Sequence, residues 1–200
     1  MLHTSILILL AFSLPVPASA ESGNEPGQVV ESFQENLIEV MKKAGELGVK
    51  GRYERLAPII DASFHLPLMA RITTLPYWKK SSPGQRDRLI AAFRRMSIST
   101  LATLFDGYGG QIFKPGDIKP GPQKTLIVET RLVDPDKSFV DIAYVTKKIN
   151  DHWRIIDVIL DKGISELTVR RSEYRRLLKT KGVEGLIAAL NNKADQLISQ

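Results

Sequence analysis

Cysteine is absent from the chain, which excludes a disulfide framework, a thiolate metal site, a redox C-x-x-C motif and a cysteine nucleophile. Histidine is scarce. His3, His65 and His152 are the only three, too few for an imidazole-rich metal cage, so no metal or organic cofactor is expected. No G-x-S-x-G elbow, H-E-x-x-H pair or G-x-x-x-x-G-K-S/T loop occurs. The one glycine-rich stretch, Gly107-Tyr108-Gly109-Gly110, follows a predicted helix and precedes a possible strand. That is the reverse of a dinucleotide turn, and it reads as a helix stop. Aromatic residues make up only 7%. No apolar run after the first twenty residues approaches the ~18 residues of a membrane helix.

What is present is ordinary for a globular domain: 200 residues, 43% hydrophobic and 25% charged, enough for one domain and outside the range of disordered or fibrous chains. Lys+Arg 28 against Asp+Glu 22 leaves a net charge of +6, which favours an anionic partner such as nucleic acid, a membrane surface or a lipid head group.

Residues 1–20 carry no charged side chain. The run Ile6 to Phe12 is too short to span a bilayer, and Pro15 and Pro17 precede Ala18-Ser19-Ala20, a small-x-small pattern of the kind a signal peptidase accepts. Residues 1–20 therefore read as a cleaved signal peptide, an uncleaved anchor being the alternative, and residues 21–200 as a single exported domain. Export disfavours nucleic acid as the partner and favours anionic lipid.

From Pro26, apolar residues at Val29, Val30, Phe33, Leu37, Val40 and Met41 predict a helix with one buried face, stopped by Gly45, Gly48 and Gly51. Short helices follow around 53–60 and 66–75, the second broken by Pro76. Ser82-Pro83-Gly84-Gln85 forms a capping box that opens what reads as the longest helix, with Leu89, Phe93, Met96, Leu101 and Leu104 inward. The period then falls to two. Residues 123–133, 139–148 and 153–160, joined by the short turns Asp134-Pro135-Asp136-Lys137 and Asn150-Asp151, predict an antiparallel meander. An edge strand over 110–118 is weakened by Pro115. Helices over 165–179 and 183–198, parted at Lys181-Gly182, close the chain. The fold class is α+β, with helices on one face of an antiparallel sheet.

Three side-chain groups invite a chemical reading. His65 with Asp61, four residues earlier, has the composition of a general-base pair, or else is a plain helix-start histidine near a surface acid. Asp157 and Asp161, read as one strand face with Trp153, would lie about 13 Å apart. That is too far for the paired carboxylates of a glycosidase, and an ion pair with an arginine of the next helix is the simpler reading. Arg170, Arg171, Arg175 and Arg176 make either a solvated basic face or a contact for a lipid head group or acidic partner.

Several stretches together resemble the toluene-tolerance/MlaC family. They are Trp153-Arg154-Ile155-Ile156-Asp157-Val158, Gly163-Ile164-Ser165, Arg171-Ser172-Glu173-Tyr174 and Gly182-Val183-Glu184-Gly185-Leu186. Upstream, Phe64 with Met69-Ala70-Arg71, Tyr77-Trp78, Pro83 with Gln85, Phe93, and Tyr108 with Gly110-Gln111 fall in the same order, so the resemblance covers about residues 28–195. Asp106 to Gln111 leans toward the hopanoid-associated HpnM branch. The sequence departs from the family pattern at His65, Pro76, Lys162 and Glu166, the last standing where an apolar residue is usual.

The resemblance implies a periplasmic, monomeric lipid-binding component of an ABC-type transport system. Such a protein has a twisted antiparallel sheet wrapped by helices, an apolar cavity between them and no catalytic residues. Its cargo would be a phospholipid or hopanoid, and its partners an inner-membrane lipid transporter and an outer-membrane donor or acceptor complex. On that reading Leu68, Met69, Ile72, Trp78, Phe93, Met96, Leu101, Val128, Ile142, Tyr144 and Trp153 contact the acyl chains, and Arg171 or Arg175 meets a head group or partner. The residues alone leave open whether the helix and sheet layers separate into a cavity or pack as a filled core. They also leave open a small exported enzyme built on His65 and Asp61, or a ligand-free transporter adaptor.

Overall fold

The structure, a computed structural model, describes residues 25–161 and 163–199. The predicted signal peptide lies outside them. Helix α1 (Pro26–Lys42) starts at a proline, as predicted, and buries Val30, Phe33, Leu37, Val40 and Met41. The glycines after it do not stop the helical path. Helix α2 (Ala44–Ser63) begins almost at once and kinks at Gly48, where φ is 58° and only glycine is at ease. Buried Arg52 ties this corner together: its Nε donates to the Ala102 carbonyl at 2.7 Å and its Nη1 to the Ala44 carbonyl at 2.9 Å.

Helix α3 (Leu66–Thr74) is followed by a cis Leu75–Pro76 bond and a single turn, α4 (Tyr77–Lys80). The capping box that opens α5 (Pro83–Leu104) is formed in both directions. The Ser82 hydroxyl accepts from the Gln85 amide, and the Gln85 side chain accepts from the Ser82 amide.

Five strands form one open antiparallel sheet in the order β1-β2-β3-β4-β5: β1 (Ile112–Gly121), β2 (Thr125–Val133), β3 (Phe139–Ile149), β4 (His152–Leu160) and the short β5 (Ile164–Ser165). The predicted meander is β2-β3-β4. Pro115 is tolerated because β1 is an edge strand with a register shift between Pro115 and Ile118. A second irregularity lies in β4. Val145 opposes Asp157 and Thr146 opposes Ile155, so Ile156 is the extra residue of a bulge. Helix α6 (Glu166–Ile198) runs 33 residues with a kink at Gly182, where φ is 64°. It is therefore longer than α5, and the two predicted C-terminal helices are its halves.

Helices α1, α2, α3 and α6 pack against the sheet, and α5 packs on α2, α3 and α6. The core between the layers includes Phe33, Leu37, Ile60, Phe93, Ile98, Ile155 and Leu186, each at most 3% exposed. The opposite sheet face carries the ion pairs Arg131–Asp141 and Lys119–Glu129, both solvated. The fold is thus α+β, a twisted antiparallel sheet wrapped by helices. Among the described residues no helix is long and apolar enough to cross a membrane.

Candidate lipid cavity

The helix and sheet layers do not fill the space between them. Phe33 and Leu37 of α1, one turn apart, form one wall of an apolar cavity of about 200 Å³, and Ile60, Phe64, Leu66 and Met69 from the α2–α3 corner form its end. Ile142, Tyr144, Val158 and Leu160 supply the sheet side, while Leu101 comes from the last turn of α5 and Phe105 directly follows it. The deep members are buried, and Leu104, at 66% exposure, marks the lip. Exposed Ile164 pairs with lip residue Leu160, which extends the apolar surface at that lip.

Polar groups reach this space mainly from one wall. Ser97 and Thr100 face it from α5, and Glu166 and Arg170 from the first two turns of α6. The Thr100 hydroxyl donates back to the Met96 carbonyl at 2.8 Å. Arg170 is half-buried. Its guanidinium lies 5.8 Å from the centre of the Phe93 ring and donates to the Tyr174 hydroxyl at 3.5 Å. Burial raises the Tyr174 phenol above its ordinary pKa, partly offset by the nearby Arg170 charge.

Deeper in, Tyr144 is 3% exposed, and burial pushes its phenol up to about 12, the nearby Gln34 amide opposing the rise. The buried Gln34 amide also donates to Thr130 at 3.0 Å, and Thr130 donates to the Ile142 carbonyl at 3.1 Å. These bonds form a small satisfied polar network behind the apolar wall.

Of the residues predicted to touch acyl chains, Met69, Leu101, Ile142 and Tyr144 line the cavity. The others lie elsewhere. Phe93 is core at 1% exposure. Met96, Ile72 and Trp78 pack half-buried against the core, Trp78 with Arg86 over its ring. Leu68 is half-buried on α3, outside the cavity lining. Val128 faces a different hollow, a groove between α1 and β1. Trp153 opposes Lys148, at the far end of β4 from the Ile142–Leu160 pair that borders the cavity. Arg171 and Arg175 border a separate recess with Thr73, Pro76 and Tyr77, so neither reaches the cavity lip.

Sequence reasoning missed Val158 and Leu160 because the bulge at Ile156 reverses the alternation along β4. It placed Arg170 in the basic cluster but gave the head-group contact to Arg171 or Arg175, although a signal for Arg170 was there. Leu167, Tyr174 and Leu178 form the buried stripe of α6, and Arg170 falls on that stripe, three residues after Leu167 and four before Tyr174.

The structure also dissolves the other candidate groups. Asp61 receives a bidentate pair from Arg94, at 2.7 and 2.6 Å. His65 uses Nδ1 to accept from the Leu68 amide as the cap of α3. The two are therefore engaged separately and do not form a general-base pair. Among the described residues Asp157 has no arginine within 4.0 Å. It accepts from the Ser165 hydroxyl at 2.6 Å and from the Leu167 amide at 3.1 Å, holding the start of α6 against the sheet. Among the described residues no cluster of three or more acidic or histidine side chains could hold a metal ion.

A similar fold has been solved for a phospholipid-binding protein from Ralstonia solanacearum in complex with a phospholipid. That structure superposes with a TM-score of 0.75 over 86% of this chain and 98% of the other, at 15% sequence identity. The family model described as MlaC protein matches residues 31–192, and the chain belongs to the MlaC family.

Proposed function

We propose that this protein is a lipid carrier of the periplasm, exported by its N-terminal leader, that takes up the acyl chains of a phospholipid or hopanoid-type lipid and moves it between inner and outer membranes. The observation that carries the reading is the apolar cavity between sheet and helices, with most of its polar groups collected on the wall next to the lip. The Ralstonia relative of the same fold, solved with a phospholipid, supports it. At about 0.8 kcal/mol per CH₂, two sixteen-carbon chains resist exposure to water by about 25 kcal/mol, so an aqueous compartment needs a carrier. A cavity of about 200 Å³ holds little more than the benzene-sized guest of a ~150 Å³ cavity. Full chains therefore require α1 and α5 to move away from the sheet. Their contact is through side chains alone, which lets the layers part.

The carrier acts as a monomer on bound cargo and makes or breaks no bond. It exchanges that cargo with an inner-membrane transporter and an outer-membrane complex. Arg171 and Arg175, outside the cavity and without a carboxylate within 4.0 Å among the described residues, are suited to an acidic surface of such a partner.

Organic extraction and mass spectrometry of the protein purified from periplasm without detergent test the reading. About one lipid per chain is expected, and its mass separates phospholipid from hopanoid. An empty protein that takes up no lipid from vesicles would overturn it.

A further inference from the structure

We infer that Arg170 is the specificity-determining residue of the cavity, binding the phosphodiester of the cargo, so that the preferred ligand is a glycerolipid carrying one phosphodiester rather than a neutral lipid. The inference rests on the carrier reading and deepens it.

Arg170 sits on the inward stripe of α6, between buried Leu167 and Tyr174, where an apolar side chain would pack without cost. Its side chain, with the guanidinium over the Phe93 ring, borders a space walled mostly by apolar side chains. A buried or half-buried guanidinium is normally matched by a carboxylate, as in Arg94 and Arg95, or by main-chain carbonyls, as in Arg52, Arg86 and Arg154. Among the described residues Arg170 has neither a carboxylate within 4.0 Å nor a hydrogen bond to a carbonyl. Among the described residues its one hydrogen bond is the 3.5 Å contact to Tyr174, which leaves most of the guanidinium fork without a protein partner there. The fork matches two phosphate oxygens. Across the same wall Ser97 offers a hydroxyl from α5. An acyl chain in the apolar interior would place its glycerol and phosphate at this wall.

Glu166 faces the same lip one turn before Arg170, without pairing to it. Its negative charge opposes a head group carrying close to two charges, as a phosphomonoester does. The pair therefore favours a phosphodiester with its single charge.

The test loads the delipidated protein from vesicles holding equal amounts of phosphatidylglycerol, phosphatidic acid and diacylglycerol with identical chains, then quantifies lipids on the repurified protein. The wild type should enrich phosphatidylglycerol over diacylglycerol by about tenfold or more, with phosphatidic acid between them. Arg170→Gln should lower that ratio about tenfold, with an unchanged circular dichroism spectrum and thermal unfolding midpoint showing that the variant is folded. Arg170→Lys, which keeps the charge but loses the fork, should fall between. Excess inorganic phosphate should leave the wild-type ratio unchanged.

A wild-type ratio equal to that of the vesicles, or an Arg170→Gln ratio equal to the wild type, overturns the assignment while leaving the carrier intact. Phosphatidic acid taken above phosphatidylglycerol overturns the phosphodiester class. Loss of the preference in free phosphate reassigns Arg170 to a soluble anion and overturns the lipid assignment. No uptake of any of the three by the wild type sinks the carrier reading itself, and this inference with it.

Discussion

Helix α1 lies between two hollows that differ in size and in chemistry. On one side, Phe33 and Leu37 face the cavity of about 200 Å³ against the sheet interior. On the other, Glu31, Gln34, Glu35, Ile38 and Glu39 face an open groove of about 670 Å³ beside β1. Phe113 borders both. The groove is the larger, yet a lipid chain laid in it would lie against carboxylates and bulk water. The cavity is smaller, but its walls remove apolar surface from water, the term that scales with chain length. The comparison teaches that volume alone does not mark a lipid site. The chemistry of the lining does.

The largest effect that can break this comparison comes from filling the cavity. Ile142→Trp should lower bound lipid more than tenfold, by extraction and mass spectrometry, while the fold survives an overpacking cost of about 1–3 kcal/mol. Unchanged loading would move the chains elsewhere.

Next in size is an alkaline transition. The Tyr144 phenol has its pKa raised to about 12 in the folded state by burial, against 10.0 when exposed. Its contribution is fully present below pH 10 and is lost as pH rises through 12. Over that window stability should fall by about 3 kcal/mol from this group. Denaturant titrations of Tyr144→Phe should show a shallower decline than the wild type.

Smaller again is the cost of cutting the polar network between the hollows. Gln34→Ala removes the buried donor to Thr130 and should destabilise by about 1–3 kcal/mol, read by urea unfolding. The smallest effect belongs to the groove. Ile38→Trp should leave lipid loading within about twofold of the wild type, as a half-exposed site distant from the cargo allows.

Much of the fold was legible because its signals are local. The Ser82–Gln85 box, the proline at the start of α1 and the two short turns of the meander each act within a few residues. Gly48 and Gly182 were read as breaks, whereas each adopts a positive φ and lets the helix resume in a new direction. The site was less legible, for two physical reasons. A single bulged residue at Ile156 puts Val158 and Leu160 on the cavity side, and no alternation pattern announces a bulge. Whether facing apolar layers touch or part depends on the tertiary spacing of α1, α5 and the sheet, which leaves no mark in either stripe. The resemblance to the MlaC family pointed to a cavity. It did not say which of four neighbouring arginines faces it.

The most direct test of the central claim uses a phospholipid with a photoreactive diazirine in its acyl chain, loaded into the protein and cross-linked by light, with the adducts mapped by mass spectrometry. The account predicts adducts on Phe33, Leu37, Leu101 and Ile142. Adducts confined to Glu35, Ile38 and Ile118 in the groove would contradict it.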